Sequence, residues 1–135
     1  MADDAVAVAV GSDSDIVTAR QAGRVVAESV GFSATDATLI ATAISELARN
    51  MLTYAGGGQI EIVGLDEPSR RGIEVIASDR GPGIADVERA MEDGYSTGKG
   101  MGLGLPGARR LVDEFHIVAP VGVGTTVTVR KWKVR

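Results

Sequence analysis

Two pairs of strand-like segments in this chain are joined by connections too short to be crossovers. Gln59 to Leu65 and Gly72 to Ser78 flank the polar stretch Asp66 to Arg71, and Phe115 to Pro120 and Thr125 to Val134 flank Val121 to Gly124. Parallel neighbours need a connection of about a dozen residues or more, so each pair should close as an antiparallel hairpin. A further strand is expected at Asp4 to Gly11, where Val6, Val8 and Val10 fall on one side. A helix should run from about Asp15 to Val30, with Ser12 and Ser14 as candidate caps and Gly31 as its end. Ser33-Ala34-Thr35-Asp36 resembles a capping box with Asp in place of Glu. It opens a helix to about Tyr54, whose apolar positions Ile40, Ile44, Leu47, Ala48, Met51 and Ala55 keep helical spacing until Gly56-Gly57-Gly58 stops it. Ala85 to Glu92 predicts a short helix, Asp93 to Met101 a loop, and Gly104 to Glu114 a helix opening at glycines. The order β-α-α-β-β-α-α-β-β predicts one α/β domain over residues 1–135. Its architecture should be a two-layer sandwich, a mixed, mostly antiparallel sheet with helices on one face.

Composition narrows the function. Hydrophobic residues make up 44% of 135, enough for one core. The longest apolar run, Ala5 to Val10, is far too short to span a membrane, and no basic segment precedes it as in a signal peptide. There are no cysteines, which excludes disulfides and thiolate metal sites and fits a cytoplasmic protein. A net charge of −4 argues against nucleic acid as a partner, and 4% aromatics argue against a stacking platform. His116 is the lone histidine, so a histidine-built metal site is not expected.

Glycine is abundant, at 18 residues, and five of them lie between Gly98 and Gly107. A flexible linker is the plain explanation. A loop that brings backbone close to a ligand is the sharper one. Gly102 to Gly107 satisfies GxGxxG, but a dinucleotide fingerprint needs a strand before it and an acid about 20 residues later. Ser96 to Met101 is polar and Val123 to Val127 holds no acid. Gly94 to Lys99 falls short of a phosphate-binding P-loop, with three residues between its glycines and Gly100 where Ser or Thr is needed. A lid running into a helix start remains. Backbone N–H groups of Gly100, Gly102, Leu103 and Gly104 are its candidate phosphate donors, with Lys99 as a point charge.

Two other clusters bear chemistry. Glu46 and Asn50 share one helix face with Thr53. An ordinary solvated face would explain them. The sharper possibility is a proton-accepting carboxylate beside a neutral oxygen ligand for magnesium, which typically keeps several waters and takes few protein ligands beside phosphate. Asp79 directly follows a strand and enters the turn Arg80-Gly81-Pro82-Gly83. Such a turn needs Asp and Gly in any case. The carboxylate could equally accept from an adenine amino group, with Gly81 and Gly83 admitting base and ribose to the backbone.

The three clusters together, in this order, resemble the GHKL family of ATPases and kinases (gyrase, heat-shock chaperone ninety, histidine kinases, mismatch repair). Thr42 to Asn50, Ser78 to Ile84 and Gly102 to Phe115 look like the small serine/threonine switch kinases of the RsbT type. The resemblance covers nearly the whole chain. It implies the Bergerat ATP-binding fold, ATP and Mg²⁺ as cofactors, Glu46 as general base, Asn50 as magnesium ligand and Asp79 as adenine contact. Thr125, after Gly124, matches the family's last motif and would help fix the base. The resemblance further implies STAS-domain proteins as substrates and a PPM-type phosphatase as a second partner. The alternatives are an anti-sigma kinase that sequesters a sigma subunit, a nucleotide-binding module without catalysis, and a histidine-kinase catalytic domain. Retention of Glu46 and Asn50 speaks against the second of these. Against the third, the chain is expected to lack a helical dimerisation segment with a phospho-acceptor histidine, and His116 is expected to be structural, within a strand.

Overall fold

A computed structural model describes residues 5–91 and 104–134. Its elements are β1 (Val6–Val10), α1 (Asp13–Val30), α2 (Ala34–Ala55), β2 (Gly58–Asp66), β3 (Arg70–Ser78), α3 (Val87–Ala90), α4 (Gly104–Arg110), β4 (Glu114–Val118) and β5 (Thr126–Val134). The strands form one five-stranded sheet in the order β1-β2-β3-β5-β4. All four pairings are antiparallel, so the sheet expected to be mostly antiparallel is wholly so. Both expected hairpins form, β2 with β3 and β4 with β5. The second inserts its later strand, β5, against β3 along nine residue pairs.

Strand alternation places Val8, Val10, Ile60, Ile62, Ile73, Val75, Ala77, Val127 and Val129 in the core. They meet Ile16, Ala19, Ala27 and Val30 of α1 and Ile40, Ile44, Leu47, Ala48 and Met51 of α2. The helices pack on one side of the sheet, α4 through its contact with α2. The other side carries a polar network. Arg130 Nε donates to Glu74 Oε2 at 2.7 Å, and Trp132 Nε1 donates to Glu114. Its bond to Glu74 is the first cause that raises the Arg130 pKa. Trp132 lies against Gly72, and the Arg70 guanidinium stacks 3.6 Å over its ring. His116 is exposed in β4.

Local chemistry sets the helix ends. Ser33 caps α2 by accepting from Asp36 N at 3.1 Å, as its sequence predicts. Gly31 and Gly56 end α1 and α2 in the left-handed region. At α1 the cap position is Ser12, but its side chain makes no capping bond and lies 3.0 Å from Ser14 Oγ. Asp15 Oδ2 reaches back instead to Gly11 N, at 2.8 Å. The expected helix Gly104 to Glu114 stops at Arg110. Asp113 N donates to Arg130 O, Trp132 N to Asp113 Oδ2, and Lys131 Nζ to Leu111 O. These contacts to β5 draw Glu114 into the sheet. The short helix expected at Ala85 to Glu92 spans Val87–Ala90.

Candidate functional site

The turn after β3 is fastened to the turn between β4 and β5. Asp79 N donates to Thr125 O, Gly122 N to Pro82 O, and Ile84 N to Ala119 O, all within 3.0 Å. Asp79 Oδ1 accepts from Gly81 N at 2.8 Å and Thr125 N at 3.2 Å. One carboxylate oxygen thus staples both turns, and Oδ2 is a second acceptor on the same side chain. Thr125 is buried. Asp79, Gly81, Gly83 and Thr125, predicted from sequence as one pocket, are therefore neighbours.

The approach is close because glycines permit it. Gly83 and Gly124 have φ of +74° and +140°. A Cβ at Gly83 would overlap Pro120 O, and one at Gly124 would overlap Asp79 O. Gly124→Ala should therefore push the two turns apart. Left-handed strain alone costs about 1–3 kcal/mol. The expected result is a lower denaturant midpoint and weaker nucleotide binding together. Unchanged values for both would show that the turns tolerate separation.

Helix α2 runs from this pocket toward a second cluster. A Cβ at Gly81 would lie 2.5 Å from Ala55 Cβ, so the last turn of α2 abuts the Asp79 turn. Asn50 and then Glu46 follow back along the helix, Glu46 about 14 Å from Ala55 at ~1.5 Å rise per residue. Asn50 is half-buried. Glu46 is only 8% exposed, which excludes an ordinary solvated face. Buried charge is costly unless it is paired and hydrogen-bonded. Glu46 Oε1 accepts from Arg49 Nη1 at 3.0 Å, and Oε2 accepts from Gly104 N at 3.1 Å. The structure thus directs the Gly104 N–H, a candidate phosphate donor, at Glu46. Lys99, Gly100, Gly102 and Leu103 lie outside the described residues.

Sequence reasoning gave Arg49 no role. Its signal was present, since a cation three residues after a helical carboxylate can reach it. Among the described residues, no group of three or more His, Cys, Asp or Glu could hold a metal. A metal here would need most of its ligands from bound phosphate and water, which suits a single Asn. No helix among the described residues is long and apolar enough to cross a membrane.

Known proteins resemble this chain in sequence and in fold. Residues 35–135 match the family described as histidine kinase-, DNA gyrase B-, and HSP90-like ATPase. The serine/threonine-protein kinase RsbT of Bacillus subtilis is 52% identical over 87% of this chain and 89% of its own length. An anti-sigma F factor of Halalkalibacterium halodurans is 31% identical over 70% of this chain and 68% of its own. The fold matches a crystal structure of the RsbU and RsbW domains of a Mycobacterium tuberculosis protein, with a TM-score of 0.65 and 23% identity. That match covers 98% of this chain and 33% of the longer one. It also matches the mycobacterial sensor histidine kinase MprB at a TM-score of 0.54 and 16% identity, over 98% of this chain and 99% of that one. The chain belongs to the GHKL ATPase family, and within it is an ATP-dependent protein serine/threonine kinase resembling RsbT.

Proposed function

We propose that this kinase, with Mg²⁺, phosphorylates Ser or Thr of a STAS-domain regulatory protein in cytoplasmic partner-switching signalling, and also binds and activates a PPM-type phosphatase. The observation that carries the kinase chemistry is Glu46, a buried carboxylate held on α2 in line with Asn50 and the Asp79 turn. Asp79 Oδ2 accepts from the adenine amino group, with Gly81, Gly83 and Thr125 around the base. Asn50 would hold the magnesium, which when bound would neutralise phosphate charge, and Lys99, outside the described residues, would add positive charge. Glu46 accepts the proton of the substrate hydroxyl. The hydroxyl oxygen bonds to the γ-phosphorus as the bond to the bridging oxygen breaks, and ADP leaves. Such transfer is mainly positioning and charge neutralisation.

The partner assignment is supported by the 52% identity to RsbT. Incubation with ATP, magnesium and candidate STAS-domain proteins, followed by mass spectrometry, tests it. A phosphorylated Ser or Thr on a STAS domain is the expected product, and no modification of any candidate would overturn the assignment. A second reading is an anti-sigma kinase, supported by two anti-sigma F factors at 31% and 32% identity. Retention of a sigma subunit rather than a STAS protein in pulldown would favour it.

Asn50→Ala checks the metal role. Magnesium-dependent ATP binding should weaken and transfer should be abolished. Adenosine, with no phosphate for a metal to bridge, should bind nearly as before. Intact magnesium-ATP affinity and turnover would remove Asn50 from the site.

A further inference from the structure

The geometry points to Arg49 as the positioning residue of the phosphoryl-transfer step: its guanidinium aims the Glu46 carboxylate at the substrate hydroxyl. The inference rests on Glu46 as the base.

Glu46 is held at two points from two different elements. Arg49, on its own helix, binds Oε1, and the Gly104 N–H, 58 residues away, binds Oε2. The two contacts fix both the position and the plane of the carboxylate. Each oxygen keeps a further lone pair, so proton acceptance is not blocked. Activated catalytic groups generally depend on a third group that orients the base. Arg49 is placed to be that group.

Stability alone does not explain the pair. The Arg49 side chain is 47% exposed, whereas that of Glu46 is 10% exposed. A cation left half in water adds less to folding than one sealed in the core, although Glu46 itself is buried and loses a partner when Arg49 is removed. A cation of which one face is wet and the other grips a buried carboxylate can hold that group without being needed by the core. Leu47, Ala48 and Met51 anchor α2 independently of it. Loss of Arg49 should therefore cost some stability, which a thermal unfolding curve reads, while α2 stays packed and the carboxylate, held by Gly104 alone, swings. Misplacing a reacting group by about 1 Å can cost roughly 100-fold in rate.

The test measures single-turnover transfer from γ-labelled ATP to the STAS-domain substrate, together with ATP affinity. The proteins are the parent, Arg49→Ala, Arg49→Lys, Glu46→Gln and the double variant Glu46→Gln/Arg49→Ala. Arg49→Ala should lower the transfer rate about 10- to 100-fold. Its ATP affinity should stay within about twofold of the parent, because no contact to nucleotide is assigned to it. Arg49→Lys should recover part of the rate, since an ammonium can still reach the carboxylate without the fork of the guanidinium. In the Glu46→Gln background the Arg49→Ala change should add nothing, because coupled residues are not additive.

An Arg49→Ala variant as fast as the parent, or faster, beside a slow Glu46→Gln would overturn the positioning role and leave Glu46 as the base. An equal loss from Arg49→Ala with and without Glu46 would also overturn it, by showing that Arg49 acts elsewhere. A parental rate in Glu46→Gln would remove the base itself, and this inference with it.

Discussion

Glu46→Gln should bind ATP nearly as the parent does and transfer phosphate to protein about 10²–10⁴-fold more slowly, the usual contribution of a general base. The substitution keeps the shape of the side chain and removes its charge. In the parent, both oxygens of Glu46 accept, one from Arg49 and one from Gly104. An amide offers one oxygen and two N–H donors, so it can satisfy only one of those partners. The site should therefore lose a contact as well as a base, and a thermal unfolding curve should accompany the kinetics. Nucleotide affinity is the internal control, because the Asp79 turn, the proposed adenine contact, lies at the other end of this stretch of α2. A variant that binds ATP and transfers at the parental rate would remove Glu46 from the mechanism.

Asp79 offers the second large effect, and two substitutions separate its two roles. Its Oδ1 staples the turns through Gly81 N and Thr125 N, and its Oδ2 is the proposed adenine acceptor. Asp79→Ala removes both functions. Unsatisfied buried polar groups cost roughly 1–3 kcal/mol, equivalent to about 5- to 150-fold in Kd. ATP affinity should fall by at least that factor. Asp79→Asn can keep the Oδ1 staple while presenting an NH₂ donor to the base. The parent should prefer ATP over GTP, because guanine places a carbonyl where adenine places an amino group. The Asn variant should lose that preference and gain relative affinity for GTP. Competition of ATP and GTP for each protein reads this out. Equal binding of both nucleotides by the parent would show that Asp79 does not face the exocyclic group.

How much of this was legible in the sequence depends on how local each cause is. The cap at Ser33 is written in four residues, and the hairpins in short polar turns. The clustering of Asp79, Gly81, Gly83 and Thr125 was legible because the first three lie within one turn and Thr125 follows a glycine. The end of α4 was not. Helical spacing persists to Glu114, but bonds to Arg130, Lys131 and Trp132 of β5 halt the helix at Arg110, and no local pattern carries them. The environment of Glu46 was likewise hidden. Its spacing with Asn50 and Thr53 reads as a polar face, yet it is buried because α2 packs against α4.

The place of β5 in the sheet also bears on how the chain acquires its shape. In the register of β3 with β5, Arg70 lies opposite Val134. Loop closure over so long a stretch must precede the contacts that reward it, and such pairings fold slowly. During synthesis β1, β2 and β3 emerge well before β5. Until β5 arrives, β3 presents an open row of backbone donors and acceptors, a template for pairing with another chain. Thr125, one residue before β5, reaches Asp79 only when that strand has docked. Competence to hold nucleotide should therefore appear late and all at once, as the final strand closes the sheet, and nascent chains halted before β5 should be prone to aggregate rather than partly active.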